Sequence, residues 1–376
     1  MERQPYVTFY DEYGASLTSR HYDDVSGFWQ ARTYLFLSLG IIPTFLQGRS
    51  VLEFGPGTGE NAAYTDSLKP LRYVLVDGSR EILETCSSRL DSSGSSQVER
   101  EFHCCLFSEF RTEEQFDVVI AEACIPNQKD PLAVFRHMQS FVRPGGVFIL
   151  TTVSSASWFS EIVRRLMKVK IASRVTDVDE QLEWLEDRLR PHFSVLNGMA
   201  RSPRNWILDN LVQPYTGGQL FSIATVLEDL KVGWMLLGGS PRFLQDWRWY
   251  KEYANQAKVT NQKLLEAYYG NVANLLDRRR SPKSHGQDSG EQIESWTTSI
   301  WERLIHQESI GEFDLRWVYK EGLELSELIR EVSPLTADSL SEAIQWIKAE
   351  CPKEELRFFP GWWGRGQQHI SIARIG

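Results

Sequence analysis

A strand that runs into three glycines and then a helix constrains this chain more than any other segment. Val51-Leu52-Glu53-Phe54 is apolar enough to lie inside a sheet, and Gly55-Pro56-Gly57-Thr58-Gly59 follows at once. Glycine at such a turn reaches left-handed backbone angles and leaves no Cβ between the main chain and a ligand. The alternation then repeats. Strands are expected at 50–54, 73–77, 98–104, 116–121 and 146–153, with helices over 61–68, 79–90 and 131–142. Near-continuous apolar strands separated by helices imply a parallel sheet covered on both faces, an α/β doubly wound fold.

The rest of the chain is organised around that sheet. Residues 1–49 read as an N-terminal helical lid segment. Residues 218–242 and 366–376 return strands at 232–238 and 369–375, so they join 50–155 in the core. Residues 156–217 and 243–365 read as tryptophan-bearing helical insertions that form a substrate-binding cap. Paired Trp and Arg in them suit either a pocket for an anionic ring or sugar, or the packing of helices. Segment 278–291 combines Gly, Ser and charge with no apolar residue, which predicts a mobile loop.

Composition removes several function classes. Lys and Arg number 41 against 50 Asp and Glu, so the net charge is −9. Nucleic-acid binders usually carry a basic face, so no nucleic acid is expected as partner. The five cysteines (Cys86, Cys104, Cys105, Cys124, Cys351) lack C-x-x-C spacing, which argues against a disulfide framework or structural zinc and for a reducing compartment. The greasiest stretch, 34–46, is broken by Gly40 and Pro43 and falls short of the ~20 residues a membrane span needs. The expectation is a soluble cytoplasmic protein with no membrane contact and no bound metal. A homo-oligomer is compatible with the sequence.

The glycine loop also says what it can hold. A dinucleotide-binding loop would place its third glycine at position 60, where this chain has Glu60. A carboxylate in the first turn of the helix repels a pyrophosphate and tolerates a cationic or zwitterionic ligand. Asp77 ends the second strand, where a carboxylate accepts hydrogen bonds from both ribose hydroxyls.

Glu53, Gly55, Gly57, Gly59 and Asp77, followed by Phe116-Asp117-Val-Val-Ile, Asp130-Pro131 and Arg143-Pro-Gly-Gly146, resemble the class I S-adenosylmethionine-dependent methyltransferases in order and spacing. The resemblance covers residues 50–153 and the closing strands, and leaves the insertions outside. It implies a seven-stranded Rossmann-like sheet with large α-helical insertions and S-adenosyl-L-methionine as cofactor. The implied reaction moves a methyl group by in-line displacement to a small or medium polar acceptor: a metabolite, natural product or sugar-type substrate. By the same resemblance Gly55, Gly57 and Gly59 face the methionyl part, Asp77 and Gly78 the ribose, and Leu106 and Phe107 the adenine. Glu53 and Glu122 complete that set, and Tyr13, with Tyr10, closes over the methionine end. Two departures matter. Cys104-Cys105-Leu106 lacks the usual acidic residue, and the exit of the fourth strand, Glu122-Ala-Cys124-Ile-Pro126-Asn127-Gln128, has no histidine.

Candidate catalytic residues are Glu122, Asn127 and His369, with Gln128 a further polar contact and Arg365 placed to hold an anionic group. Cys124 and His103 read as core residues, and 362–368 as a hairpin packing tryptophans. Two other readings stay open. The insertions could dock a protein, so that the chain methylates a protein or binds the cofactor without turnover. A nicotinamide enzyme is the remaining alternative, and Glu60 opposes it.

Overall fold

The chain enters the sheet through a helix, α1 (Val25–Ser38), and forms β1 at Ser50–Phe54. Next come α2 (Glu60–Ser67), β2 (Arg72–Asp77), α3 (Arg80–Ser93), β3 (Glu99–Cys104), β4 (Phe116–Ala121), α4 (Pro131–Ser140) and β5 (Val142–Thr152). Helices α5 (Phe159–Ala172), α6 (Val178–Ser194) and α7 (Pro203–Ile207) precede α8 (Ile223–Asp229), β6 (Trp234–Ser240) and α9 (Ala257–Tyr269). Three long helices, α10 (Gln287–Ser309), α11 (Arg316–Arg330) and α12 (Pro334–Lys348), lead to β7 (Gln368–Arg374). This computed structural model describes residues 8–9, 12–13, 25–93, 97–126, 128–196, 199, 201–214, 220–243, 247–253, 257–312 and 314–376.

The seven strands lie in the order β3-β2-β1-β4-β5-β7-β6. Pairs among the first five are parallel, and β7 runs antiparallel to both of its neighbours. This is the doubly wound sheet expected from the apolar strands. Val51, Leu52, Phe54, Val118, Val119, Phe148, Ile149 and Leu150 are all buried, because helices cover both faces. Each such side chain contributes roughly 1.5–3 kcal/mol relative to its exposed state. Asp130 starts α4 by accepting the Ala133 N–H at 2.9 Å, with Pro131 at the first helical position. Gly238 in β6 leaves room for the end of α1, since a Cβ there would lie 2.6 Å from the Leu39 carbonyl carbon.

The structure divides into two units: Met1–Thr152 with Phe221–Tyr268 and Gln368–Gly376, and Val153–Leu220 with Tyr269–Gln367. Residues 243–268 thus group with the sheet rather than with the second insertion. Asn261 on α9 explains this: its amide donates to the Trp234 carbonyl at 2.9 Å and accepts the Leu236 N–H at 3.4 Å, tying α9 to β6.

Inside the helical unit the tryptophans and arginines pack one another. The Arg164 guanidinium is buried 3.7 Å from the Trp363 ring centre and donates to the Trp362 carbonyl at 2.8 Å. Trp362 in turn donates to the Leu276 carbonyl at 2.8 Å.

Three expectations are corrected. Segment 278–291 is a loop only as far as Gly286: its last five residues open the 23-residue helix α10, and Arg279 grips Asp277 and Ser339. The polar composition misled because Gly290 is a packing glycine, whose absent Cβ lets α10 sit against the Tyr269 carbonyl. His103 is exposed rather than core, since β3 is the edge strand. Residues 362–366 form no strand, so the tryptophan hairpin is replaced by an irregular segment bonded to α5 and to residues 274–278.

Candidate functional site

Strand register gathers the predicted residues along one edge. Phe54 pairs with Val76 and Ala121, Ala121 with Leu150, and Thr151 with His369. The glycine loop, Asp77, Gly78, Leu106, Phe107, Glu122 and His369 therefore leave the sheet where its parallel strands end, the usual ligand edge of an open α/β sheet.

The loop is built from main chain. Gly55, Gly57 and Gly59 have φ of +69°, +57° and +92°, and Gly55 N–H donates to the Val76 carbonyl at 2.9 Å. Their neighbours differ. A Cβ on Gly55 would lie 2.9 Å from Cys124 Cβ, and one on Gly59 would lie 3.1 Å from Cys86 Sγ, whereas one on Gly57 would meet nothing within 4 Å. Gly57 is thus the open point of the loop. Gly59→Ala should lower unfolding free energy by about 2–3 kcal/mol through strain and crowding, and Gly57→Ala by only about 1 kcal/mol. Urea denaturation measures both. If Gly57 faces the cofactor, its variant still loses about tenfold in affinity for S-adenosylhomocysteine; unchanged binding would give that space another role.

Glu60 does not project a bare charge. It accepts from Thr58 Oγ1 at 2.6 Å and from Arg89 Nη2 at 3.0 Å, while Arg89 Nε clamps the Thr58 carbonyl at 2.7 Å. Asp77 sits at the β2 tip, where its Oδ1 accepts the Ser79 N–H at 2.9 Å. Burial pushes its carboxyl up to about 6, against the N–H groups of Ser79 and Gly78, which favour the carboxylate. Phe107 is buried edge-on against Phe54, with ring centres 5.8 Å apart, and Leu106 is half-buried before it. Tyr13 is half-buried with its ring 4.7 Å from Phe9. Tyr10 and Asn127 lie outside the described residues.

Glu53 is only 2% exposed and accepts the Tyr73 hydroxyl. Burial pushes its carboxyl up to about 7; the Tyr73 hydrogen bond opposes this and nearby Glu122 adds to it. The folded state therefore holds a proton that the unfolded chain loses near pH 4.5, so stability falls as pH rises from 4.5 to 7. Glu53→Gln should reduce that fall by about 3 kcal/mol in urea midpoints measured from pH 4.5 to 8, leaving the part that the raised Asp77 carboxyl contributes. A variant with the wild-type slope would assign the slope to another group.

At the β4 exit, Glu122 receives Arg32 Nη1 at 2.9 Å and Asn61 Nδ2 at 2.8 Å, and His369 Nε2 lies 4.0 Å from it. The turn is tight: Ala123 has φ of +59° and donates its N–H to Thr151 Oγ1 at 2.5 Å. Arg32 is buried between Phe36 and Tyr64, 5.5 and 5.8 Å from their ring centres. Burial works against its charge, but Glu122 and then Glu53 more than offset this, holding it above its ordinary range. Burial raises the Cys124 thiol well above its usual range, and its Sγ lies 3.4 Å from the Phe54 carbonyl. Gln128 ties the loop through the Cys124 carbonyl at 3.0 Å. Arg365 belongs to the helical unit, where it donates to the Asn274 and Arg280 carbonyls. Among the described residues no His, Cys, Asp and Glu group is placed to hold a metal ion, and no helix is long and apolar enough to cross a membrane.

Sequence reasoning missed Arg32, Asn61 and Arg89. A signal existed for the first: a single cation between Trp29, Thr33 and Phe36 on an otherwise apolar helix asks for a buried partner.

Residues 26–202 match the model of a family described as a methyltransferase domain. Over that segment the chain is similar to a methyltransferase domain. An open glycine at φ +57° beside a strand-tip carboxylate fits S-adenosyl-L-methionine, the cofactor that the sequence resemblance implies. No curated protein matches the chain.

Among solved structures, the chain is similar to the N-methyltransferase NodS from Bradyrhizobium japonicum in complex with S-adenosyl-L-homocysteine. That structure is 18% identical with a TM-score of 0.32, over 41% of this chain and 76% of that one. It is also similar to an S-adenosylmethionine-dependent methyltransferase from Clostridium acetobutylicum, 18% identical with a TM-score of 0.29, over 35% and 52%. A third is phosphoethanolamine N-methyltransferase 2 of Haemonchus contortus in complex with S-adenosyl-L-methionine, 23% identical with a TM-score of 0.30, over 40% and 33%. The match thus spans about half of the second and a third of the third.

Proposed function

We propose that this chain methylates a small or medium polar acceptor whose reacting atom carries a proton, and that Glu122 and His369 serve that acceptor. The bound cofactor supplies an electrophilic methyl group on a sulfonium. The observation that carries the reading is the Glu122–His369 pair, 4.0 Å apart at the same sheet edge as the glycine loop. Arg32 and Asn61 engage both oxygens of Glu122, which fixes its carboxylate and leaves the half-buried His369 imidazole to take a proton. Gly55, Gly57, Gly59, Asp77, Gly78, Leu106 and Phe107 form the cofactor wall in this reading. The helical insertions are assigned the choice of acceptor.

Titration calorimetry with S-adenosylhomocysteine, beside NADH, tests the reading. Micromolar affinity for the first and none for the second is expected; silence with both would remove the glycine loop as cofactor site. Trp247 (91% exposed), Trp249 and Tyr250 form an exposed aromatic group that favours a second reading, in which the acceptor is a protein docked there.

A further inference from the structure

The helical unit carries a cluster of cations that its own carboxylates do not neutralise. Arg280, Lys283, His285 and Arg365 gather around the short turn Val272–Asn274, held mostly by main-chain carbonyls. Arg365 donates from Nε to the Asn274 carbonyl at 2.8 Å and from Nη2 to the Arg280 carbonyl at 3.0 Å. Arg280 donates from Nη1 to the Ala273 carbonyl at 3.1 Å, and its Nη2 meets His285 Nε2. The backbone N–H of Lys283 reaches Asn274 Oδ1 at 3.0 Å, and that of His285 the Gly270 carbonyl at 2.8 Å.

Among the described residues none of the four makes an ion pair. The neighbouring carboxylate, Asp277, is buried and taken by Arg279 and Thr336. Like charges at this range disfavour one another. Arg280 is held below its usual range by burial and by Arg365, against Asp277, and His285 by burial, Arg280 and Lys283. The cluster faces solvent: Lys283 is exposed and the other three are half-buried. A Cβ on Gly286 or Gly366 would meet nothing within 4 Å, so a ligand can approach the backbone beside them. Helix α10 begins directly after Gly286, which has no side chain to cap it, and Asp288 is the acidic residue of its first turn.

We propose that Arg280, Lys283, His285 and Arg365 form a binding site for a phosphate-type dianion, free or carried as a monoester. These bonds leave Arg365 Nη1 and Arg280 Nε to donate to an oxyanion, and Lys283 adds a third fixed charge. Three fixed cations suit a dianion better than a single carboxylate. His285 accepts from Arg280 and so sets the guanidinium's orientation. The site goes beyond the methyl-transfer reading and does not depend on it.

Calorimetric titration of the full chain at constant ionic strength tests it, with inorganic phosphate, phenyl phosphate and acetate as probes. Phosphate or phenyl phosphate should bind at least tenfold more tightly than acetate. The Arg280→Gln/Arg365→Gln double variant should lose at least tenfold in that affinity. Arg365 also anchors the segment, so Lys283→Gln is the second variant: its amine makes no hydrogen bond, the fold is spared, and a several-fold loss is expected. Tighter binding of phenyl phosphate than of phosphate would place the group on an organic molecule, and equal binding would indicate free phosphate. Acetate binding as well as phosphate, or Lys283→Gln binding like the wild type, would overturn the proposal.

Discussion

Asp77→Ala is expected to weaken S-adenosylhomocysteine binding at least about 100-fold while leaving the fold intact. A hydrogen bond to a charged acceptor is worth about 1.5–3 kcal/mol, and a strand-tip carboxylate can accept two from a ribose. Asp77 also accepts the Ser79 N–H at 2.9 Å, so alanine loosens the turn as well. Asp77→Asn separates the two effects: the amide oxygen keeps the turn, only the charge is lost, and the loss should be nearer tenfold. A pH series gives a further readout. The Asp77 carboxyl is pushed up to about 6, so the accepting carboxylate is complete at pH 7.5 and disappears as pH falls through 6. Wild-type affinity should fall with it, whereas the asparagine variant should show a flat response. Full affinity in Asp77→Ala, measured by calorimetry, would move the cofactor site elsewhere.

The sheet and its glycine loop were legible because β1, β2 and β4 are buried on both faces and each carries its own apolar run, and because φ near +60° selects glycine. The helical end of segment 278–291 was not, because it is set by distant partners. Ser339 binds Arg279, and the Tyr269 backbone makes Gly290 obligatory, yet neither leaves a local trace. His103 sits in a strand of ordinary pattern, and only the strand order puts that strand at the edge. The site divides along the same line. Glycines and the strand-tip Asp77 announce themselves by position, while the group that steadies Glu122 comes from Arg32, 90 residues away.

Replacing Arg32 is therefore expected to have the largest effect on stability in the sheet unit. Removing one partner of a buried ion pair leaves the other charged and poorly solvated, a loss of about 3–5 kcal/mol. Arg32→Met keeps much of the stem that packs near Phe36 and Tyr64, so the loss reports on the charge rather than on a cavity. Glu122→Gln placed in the same chain removes the orphaned carboxylate, keeps the Asn61 contact and should recover more than half of that loss. Urea denaturation of the wild type and of the single and double variants reads the coupling directly. Additive losses would mean that Arg32 stabilises the helix by packing alone. Strong recovery would mean that the fold holds Glu122 by charge, as a residue positioned for His369 and an acceptor requires.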